Sequence, residues 1–199
     1  RILRLMNRTI LFGLFVVKLS VVMLMAFLFL MGKPVFAQVK WQTFDSKEPS
    51  FSVSMPGTVR LMEKGVSTPT GEFLVHTVYA ESSVDSTGNF LYLVNYFEAD
   101  DIDFTPDSSF NAYIFLEDFL ENIKAQVDGT ILYSHRDQFD QNPVLEYRLN
   151  YRDDLLAMKG RIIQVGQTIY SLQVFSDKKN SLNRNMDSFL HSFRLINGE

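Results

Sequence analysis

The chain has no cysteine among its 199 residues. That excludes disulfide staples, a lipid-bearing N-terminal cysteine, thiolate metal sites and thiol chemistry. A domain of this size without crosslinks has to be held by its apolar interior. Acidic residues are missing from the first 37 positions, whereas Arg1, Arg4, Arg8, Lys18 and Lys33 all stand there. From Gln38 to Glu199 the remaining 14 basic residues face all 23 acidic ones, a formal balance of −9. Such a surface repels phosphate, which argues against nucleic acid and anionic lipid as partners. Local catalytic signatures are lacking too: no serine nucleophile elbow, no H-E-x-x-H, no phosphate loop and no G-x-G-x-x-G. The common hydrolase and nucleotide-binding classes therefore lose their usual markers, and no catalytic or cofactor-binding residue is nominated.

What the first 37 residues do contain is the pattern of a secretory signal peptide. Arg4 and Arg8 supply a basic start, Leu19–Met31 an apolar middle, and Gly32-Lys33-Pro34 a helix break. Val35-Phe36-Ala37 then fits a small-residue cleavage site, with cleavage expected before Gln38. The chain begins at Arg1, and Met6 offers a start for the leader. The alternative is an uncleaved anchor from Ile10 to Met31, which would have to tolerate Lys18. Cleavage leaves no stable membrane insertion, so the expected location is periplasmic or extracellular.

Residues 38–199 are rich in phenylalanine and read as one domain. Phe51-Ser-Val-Ser-Met55 alternates apolar and polar residues, as a half-buried strand does, and Pro56-Gly57 marks a turn. A short returning strand around Val59 and Leu61 ends near Gly65. Residues 72–81 form a strand, and Phe90–Phe97 is apolar at nearly every position, which predicts cover on both faces. An acidic loop, Glu98–Asp107, leads to a helix capped at Asp107, Ser108 or Ser109 and stopped at Gly129. Its apolar stripe is Tyr113, Leu116, Phe119, Leu120, Ile123 and Val127, with Ile114 and Phe115 lying off it. Four strands follow near 130–138, 143–152, 156–165 and 168–176. A last helix from about Ser181 to Ser192 has Leu182, Met186, Phe189, Leu190 and Phe193 on one face. Tight turns favour antiparallel pairing, so the expected fold class is α+β, a central antiparallel sheet flanked by helices.

Several stretches together resemble the PsbP-like superfamily, named after an extrinsic subunit of photosystem II. They are Trp41 with Phe51-Ser-Val-Ser-Met-Pro-Gly57, Tyr92-Leu-Val-Asn-Tyr96, Asn142-Pro-Val-Leu-Glu-Tyr147, Gly160-Arg-Ile-Ile-Gln-Val165 and Phe189-Leu-His-Ser-Phe-Arg-Leu195. Their order, across residues 40–196, carries the resemblance. The superfamily also holds many exported bacterial domains and a nuclear Ran-binding factor; the leader argues against the nuclear role. The resemblance implies an α/β/α sandwich and an accessory, non-enzymatic binding role. In a photosynthetic source it would imply the thylakoid lumen and photosystem II. The quoted residues are apolar or turn-forming, so no metal or partner site transfers residue by residue.

Candidate sites therefore come from chemistry. Asp101-x-Asp103-x-Thr105-x-Asp107 spaces oxygen ligands as a calcium loop does. Pro106 occupies the position of the required glycine, however, and Ala112 that of the bidentate glutamate. A solvated acidic loop beside a helix N-terminus explains the same residues. Ile114 and Phe115 either widen the buried helix face or form an exposed patch for a protein partner. His76 and His135 are expected to be hydrogen-bonded structural residues and His191 solvated, with no convergent metal set. Glu146 and Arg148 share one strand face and are expected to form a same-face ion pair of little energetic weight if exposed. The functional expectation is an exported domain that docks a protein partner. Binding of a small apolar ligand between sheet and helix, or a response to calcium, are the rivals.

Overall fold

In the computed structural model, the structure describes residues 40–68, 71–82, 87–100, 102, 104 and 111–196. Seven strands form one antiparallel sheet. They are β3 (Arg60–Thr68), β4 (Gly71–Glu81), β5 (Asn89–Glu98), β6 (Thr130–Phe139), β7 (Asn142–Tyr151), β8 (Leu156–Val165) and β9 (Thr168–Asp177), in the order β3-β4-β5-β9-β8-β7-β6. A second sheet has three strands, β1 (Trp41–Lys47), β2 (Ser50–Pro56) and β10 (Arg194–Leu195), in the order β1-β2-β10. Helix α1 (Ala112–Val127) carries the chain from β5, inside the large sheet, to β6 at its far edge. Helix α2 (Arg184–Leu190) precedes β10.

Alternation along the strands sorts side chains into two cores. On β7, Leu145, Tyr147, Leu149 and Tyr151 join Leu116, Leu120 and Ile123 of α1. On the opposite face, Tyr92, Val94, Leu172 and Val174 meet Phe51, Val53 and Met55 of β2 and Met186, Phe189 and Leu190 of α2. Phe51 is a hub of the second core, its ring centroid 5.3 Å from Tyr96 and 5.5 Å from both Tyr170 and Phe193. Each such ring removes a large apolar area from water, worth about 1.5–3 kcal/mol. Strand β5 is buried at Tyr92 and Val94, but Leu91, Leu93 and Phe97 on its other face are only half-buried and Phe90 is exposed, so the continuous apolar run overstates the cover.

The α+β class holds. On one face the cover is α1; on the other it is mostly strand, β1, β2 and β10, with α2 only seven residues long. The final helix is shorter than its periodicity predicts because Asn183, extended at φ −137°, caps it by accepting from the Met186 amide. Leu182 thus lies before the helix and is 75% exposed rather than buried. Helix α1 begins later than expected. Asn111 takes the cap, accepting from the Tyr113 amide at 2.9 Å; Asp107, Ser108 and Ser109 lie outside the described residues. At its other end the left-handed residue is Asp128, not a glycine. Gly129 is needed for close approach, since a Cβ there would sit 3.0 Å from the Asn150 carbonyl oxygen. Strand β3 continues past Gly65 to Thr68.

Candidate functional site

A cleft of about 640 Å3 opens where the β1–β2 turn meets the start of β4 and the end of β5. The hairpin register makes His76 and Tyr96 direct cross-strand partners. Their rings stack with centroids 4.9 Å apart and planes 9° from parallel. The imidazole is steered from the other side by β3, where Glu63 Oε1 lies 3.1 Å from His76 Nδ1. Phe73 and Phe97 border the cleft but pair edge to face at 5.7 Å on the other face of the sheet, where Phe97 meets Phe119 of α1. Lys47, Glu48, Glu98 and Asp100 supply the charged wall, three carboxylates against one ammonium.

Local hydrogen bonds hold that wall. Glu98 Oε1 accepts from the Thr168 hydroxyl at 2.8 Å, and the Ala99 amide donates to the Gln167 carbonyl at 2.9 Å. The end of β5 is thereby pinned to the β8–β9 turn. Two phenols are perturbed here. Burial raises the pKa of Tyr96; a hydrogen bond with Ser46 works against this and the Glu63 charge adds to it. Tyr170 is pushed up to about 12, first by burial, with Glu98 and Tyr96 adding to the rise and a Thr168 hydrogen bond opposing it. A volume of this size lies in the range of binding clefts, and its chemistry is recognition by aromatic surface and carboxylate.

A second polar assembly lies on the sheet face that α2 partly covers. Glu146 on β7 is the register partner of both His135 on β6 and Arg161 on β8. Its Oε1 is 2.9 Å from Arg161 Nε, though off the hydrogen-bonding axis. Its Oε2 is 3.6 Å from His135 Nε2, and His191 Nε2 stands 3.8 Å from Oε1. Arg161 Nη1 also donates to the Leu190 carbonyl at 3.1 Å and so clasps the end of α2. Only 10% of the Glu146 side chain and 6% of the Arg161 side chain are exposed. Burial is the largest influence and pulls the Arg161 pKa down; the charges of Glu146 and Asp137 oppose it and Arg194 adds to the fall. The buried pair is thus Glu146–Arg161, not the exposed Glu146–Arg148 pair expected from the strand pattern. Arg148 turns away and donates to the Ser181 hydroxyl.

The other expected residues fall as follows. Asp101, Asp103 and Asp107 lie outside the described residues. Ile114 is 52% exposed, whereas Phe115 is half-buried against Phe104 and Phe119 at 5.4 and 6.3 Å. The two thus part company: Phe115 widens the buried face of α1 and Ile114 remains on the surface. His76 makes its contact with Glu63, and His191 is half-exposed. Among the described residues, no group of three or more His, Cys, Asp or Glu is arranged to hold a metal ion. Nor, among them, is any helix long and apolar enough to cross a membrane. Sequence reasoning missed Arg161 and the cleft. An arginine inside the apolar run of β8 and the cross-strand meeting of His76 with Tyr96 were the signals that could have found them.

No family model matches the chain, and no curated protein does. Among solved structures, it is similar to the solution structure of cyanobacterial PsbP (CyanoP) from Synechocystis sp. PCC 6803. That likeness has 12% identity and a TM-score of 0.54, over 82% of this chain and 96% of that one. A protein of unknown function, PA94 from Pseudomonas aeruginosa, aligns with 9% identity and a TM-score of 0.34, over 70% of this chain and 85% of that one. At 12% identity the likeness concerns the fold alone, and in that sense the chain is PsbP-like.

Proposed function

We propose that this chain is an exported, non-enzymatic accessory domain that docks a protein partner outside the cytoplasm, on a PsbP-like α+β scaffold. The observation that carries the proposal is the open cleft at one end of the large sheet. Its aromatic floor and charged wall supply apolar contact area and directional polar groups together, as docking surfaces do. The likeness to a cyanobacterial PsbP supports an accessory role, and the leader at residues 1–37 supports export. A photosystem role applies in a photosynthetic source.

A photocrosslinking amino acid at Leu74, an exposed position in the cleft wall, tests docking directly. In the source cell it should give a discrete protein adduct, and the same group at Ile114 probes the α1 surface in parallel. No adduct at either position refutes docking at these surfaces. N-terminal sequencing of the exported protein should begin at Gln38; an intact leader would turn the reading into a membrane-anchored one.

The cleft volume also suits a small ligand, which favours ligand binding as the second reading. Native mass spectrometry of protein purified from its source should then show a copurified molecule, and a clean apo mass counts against it.

A further inference from the structure

We infer that the docked partner presents a basic segment, rich in arginine or lysine, to the cleft between the β1–β2 turn and the adjoining ends of β4 and β5. This rests on the docking reading above and names the chemistry of the partner. The wall holds Glu48, Glu98 and Asp100 against Lys47 alone, and Glu63 stands immediately behind His76. Thr168 holds the Glu98 carboxylate in place, so less side-chain freedom is lost when a cation meets it. The floor is aromatic, with His76 and Tyr96 lying parallel. A guanidinium matches both halves: its planar face stacks on aromatic rings and its forked donors meet carboxylates. An acidic segment would bring its carboxylates against those of the wall. The cleft exceeds the volume of any single side chain, which suits a stretch of chain more than a lone cation. The −9 balance over residues 38–199 steers a basic partner at long range.

Fluorescence anisotropy of a labelled octa-arginine peptide with the full chain, at 50 and 300 mM NaCl, tests this. Binding should weaken with salt, and an octa-glutamate peptide should not bind. The pair Glu98→Gln/Asp100→Asn should weaken octa-arginine binding about tenfold. The pair Asp118→Asn/Glu121→Gln removes the same charge from the exposed face of α1 and should change it less than twofold. Leu74→Arg places a competing cation on an exposed cleft position and should weaken binding without touching the core. Circular dichroism should match for all variants. Equal weakening by the two charge-neutralising pairs overturns the inference, as does octa-glutamate binding as tightly as octa-arginine. A protein adduct at Leu74 without preference for octa-arginine overturns the basic-segment assignment alone. Absence of both adduct and peptide binding overturns the docking reading with it.

Discussion

Replacing Glu146 by alanine isolates the energetics of the buried rung across β6, β7 and β8. The carboxylate sits 2.9 Å from Arg161 Nε, and 90% or more of each side chain is out of water. Its removal leaves the guanidinium with the Leu190 carbonyl and, at 4.0 Å, the half-exposed Asp137. Stranding a buried charge in this way costs about 3–5 kcal/mol. With a urea slope near 2 kcal/mol per molar, the unfolding midpoint at pH 7 should fall by roughly 1.5–2.5 M. The pair itself is a different quantity. Burial is the largest influence on the Arg161 pKa and lowers it, so desolvation competes directly with the Coulombic gain of the pair. Glu146→Leu/Arg161→Met should therefore return to within about 1–2 kcal/mol of the native protein, the residual cost being the Leu190 carbonyl left without its donor. Urea titration of both single variants and the double variant, followed by circular dichroism, closes the cycle. A loss below about 1 kcal/mol for Glu146→Ala would mean that the carboxylate is solvated. A double variant as unstable as the sum of the singles would mean that the two charges are uncoupled. Either result refutes the reasoning.

Gly160→Ala should destabilise by about 1–3 kcal/mol, because its Cβ would sit 2.6 Å from the ring of the fully buried Tyr147; an unchanged melting temperature would show that the ring has room to move. The phenol of Tyr170 is held near 12 against an unfolded value of 10, so its contribution is complete below pH 10 and is lost as pH rises from 10 through 12. That loss amounts to roughly 2–3 kcal/mol, and Tyr170→Phe should flatten the fall in melting temperature over this window. Asn111→Ala removes the acceptor for the Tyr113 amide at the start of α1 and should cost about 1 kcal/mol in urea unfolding. Titration calorimetry with calcium tests the acidic loop: heat that disappears in Asp101→Ala/Asp103→Ala supports binding there, and no heat at millimolar ion rejects it.

The strands were legible because alternation and continuous apolar runs are strong local signals. Four expected strands, near 130–138, 143–152, 156–165 and 168–176, match β6–β9 within one or two residues. Helix ends were less legible. Asn111 and Asn183 take the caps: each is extended and accepts a hydrogen bond from an amide in the first turn, that of the second helical residue Tyr113 and that of the third, Met186, a geometry that composition does not disclose. Strand β10 went unrecognised: it is two residues long and exists only through pairing with Ser52 and Phe51 of β2. The Glu146–Arg148 expectation failed on register. Residues two apart on one strand share a face, but the directly opposite residue on the neighbouring strand is closer, and opposite Glu146 stands Arg161.

Tyr96 apart, the residues that carry the resemblance and those that line the cleft are physically different sets, which is why one was readable and the other was not. Phe51, Val53, Met55, Tyr92, Val94, Tyr147, Ile162, Ile163, Phe189 and Phe193 are all completely buried. Their chemistry is constrained by packing density, so they report the fold. Lys47, Glu48, Glu98 and Asp100 are exposed at the ends of strands, where substitution changes stability little and binding chemistry a great deal. Likeness of fold thus transmits the scaffold without transmitting the partner. On this argument, reversing the charge of the cleft wall should leave the urea midpoint nearly in place while it changes which peptides bind. A wall variant that unfolds the domain would show that scaffold and site are not separable here.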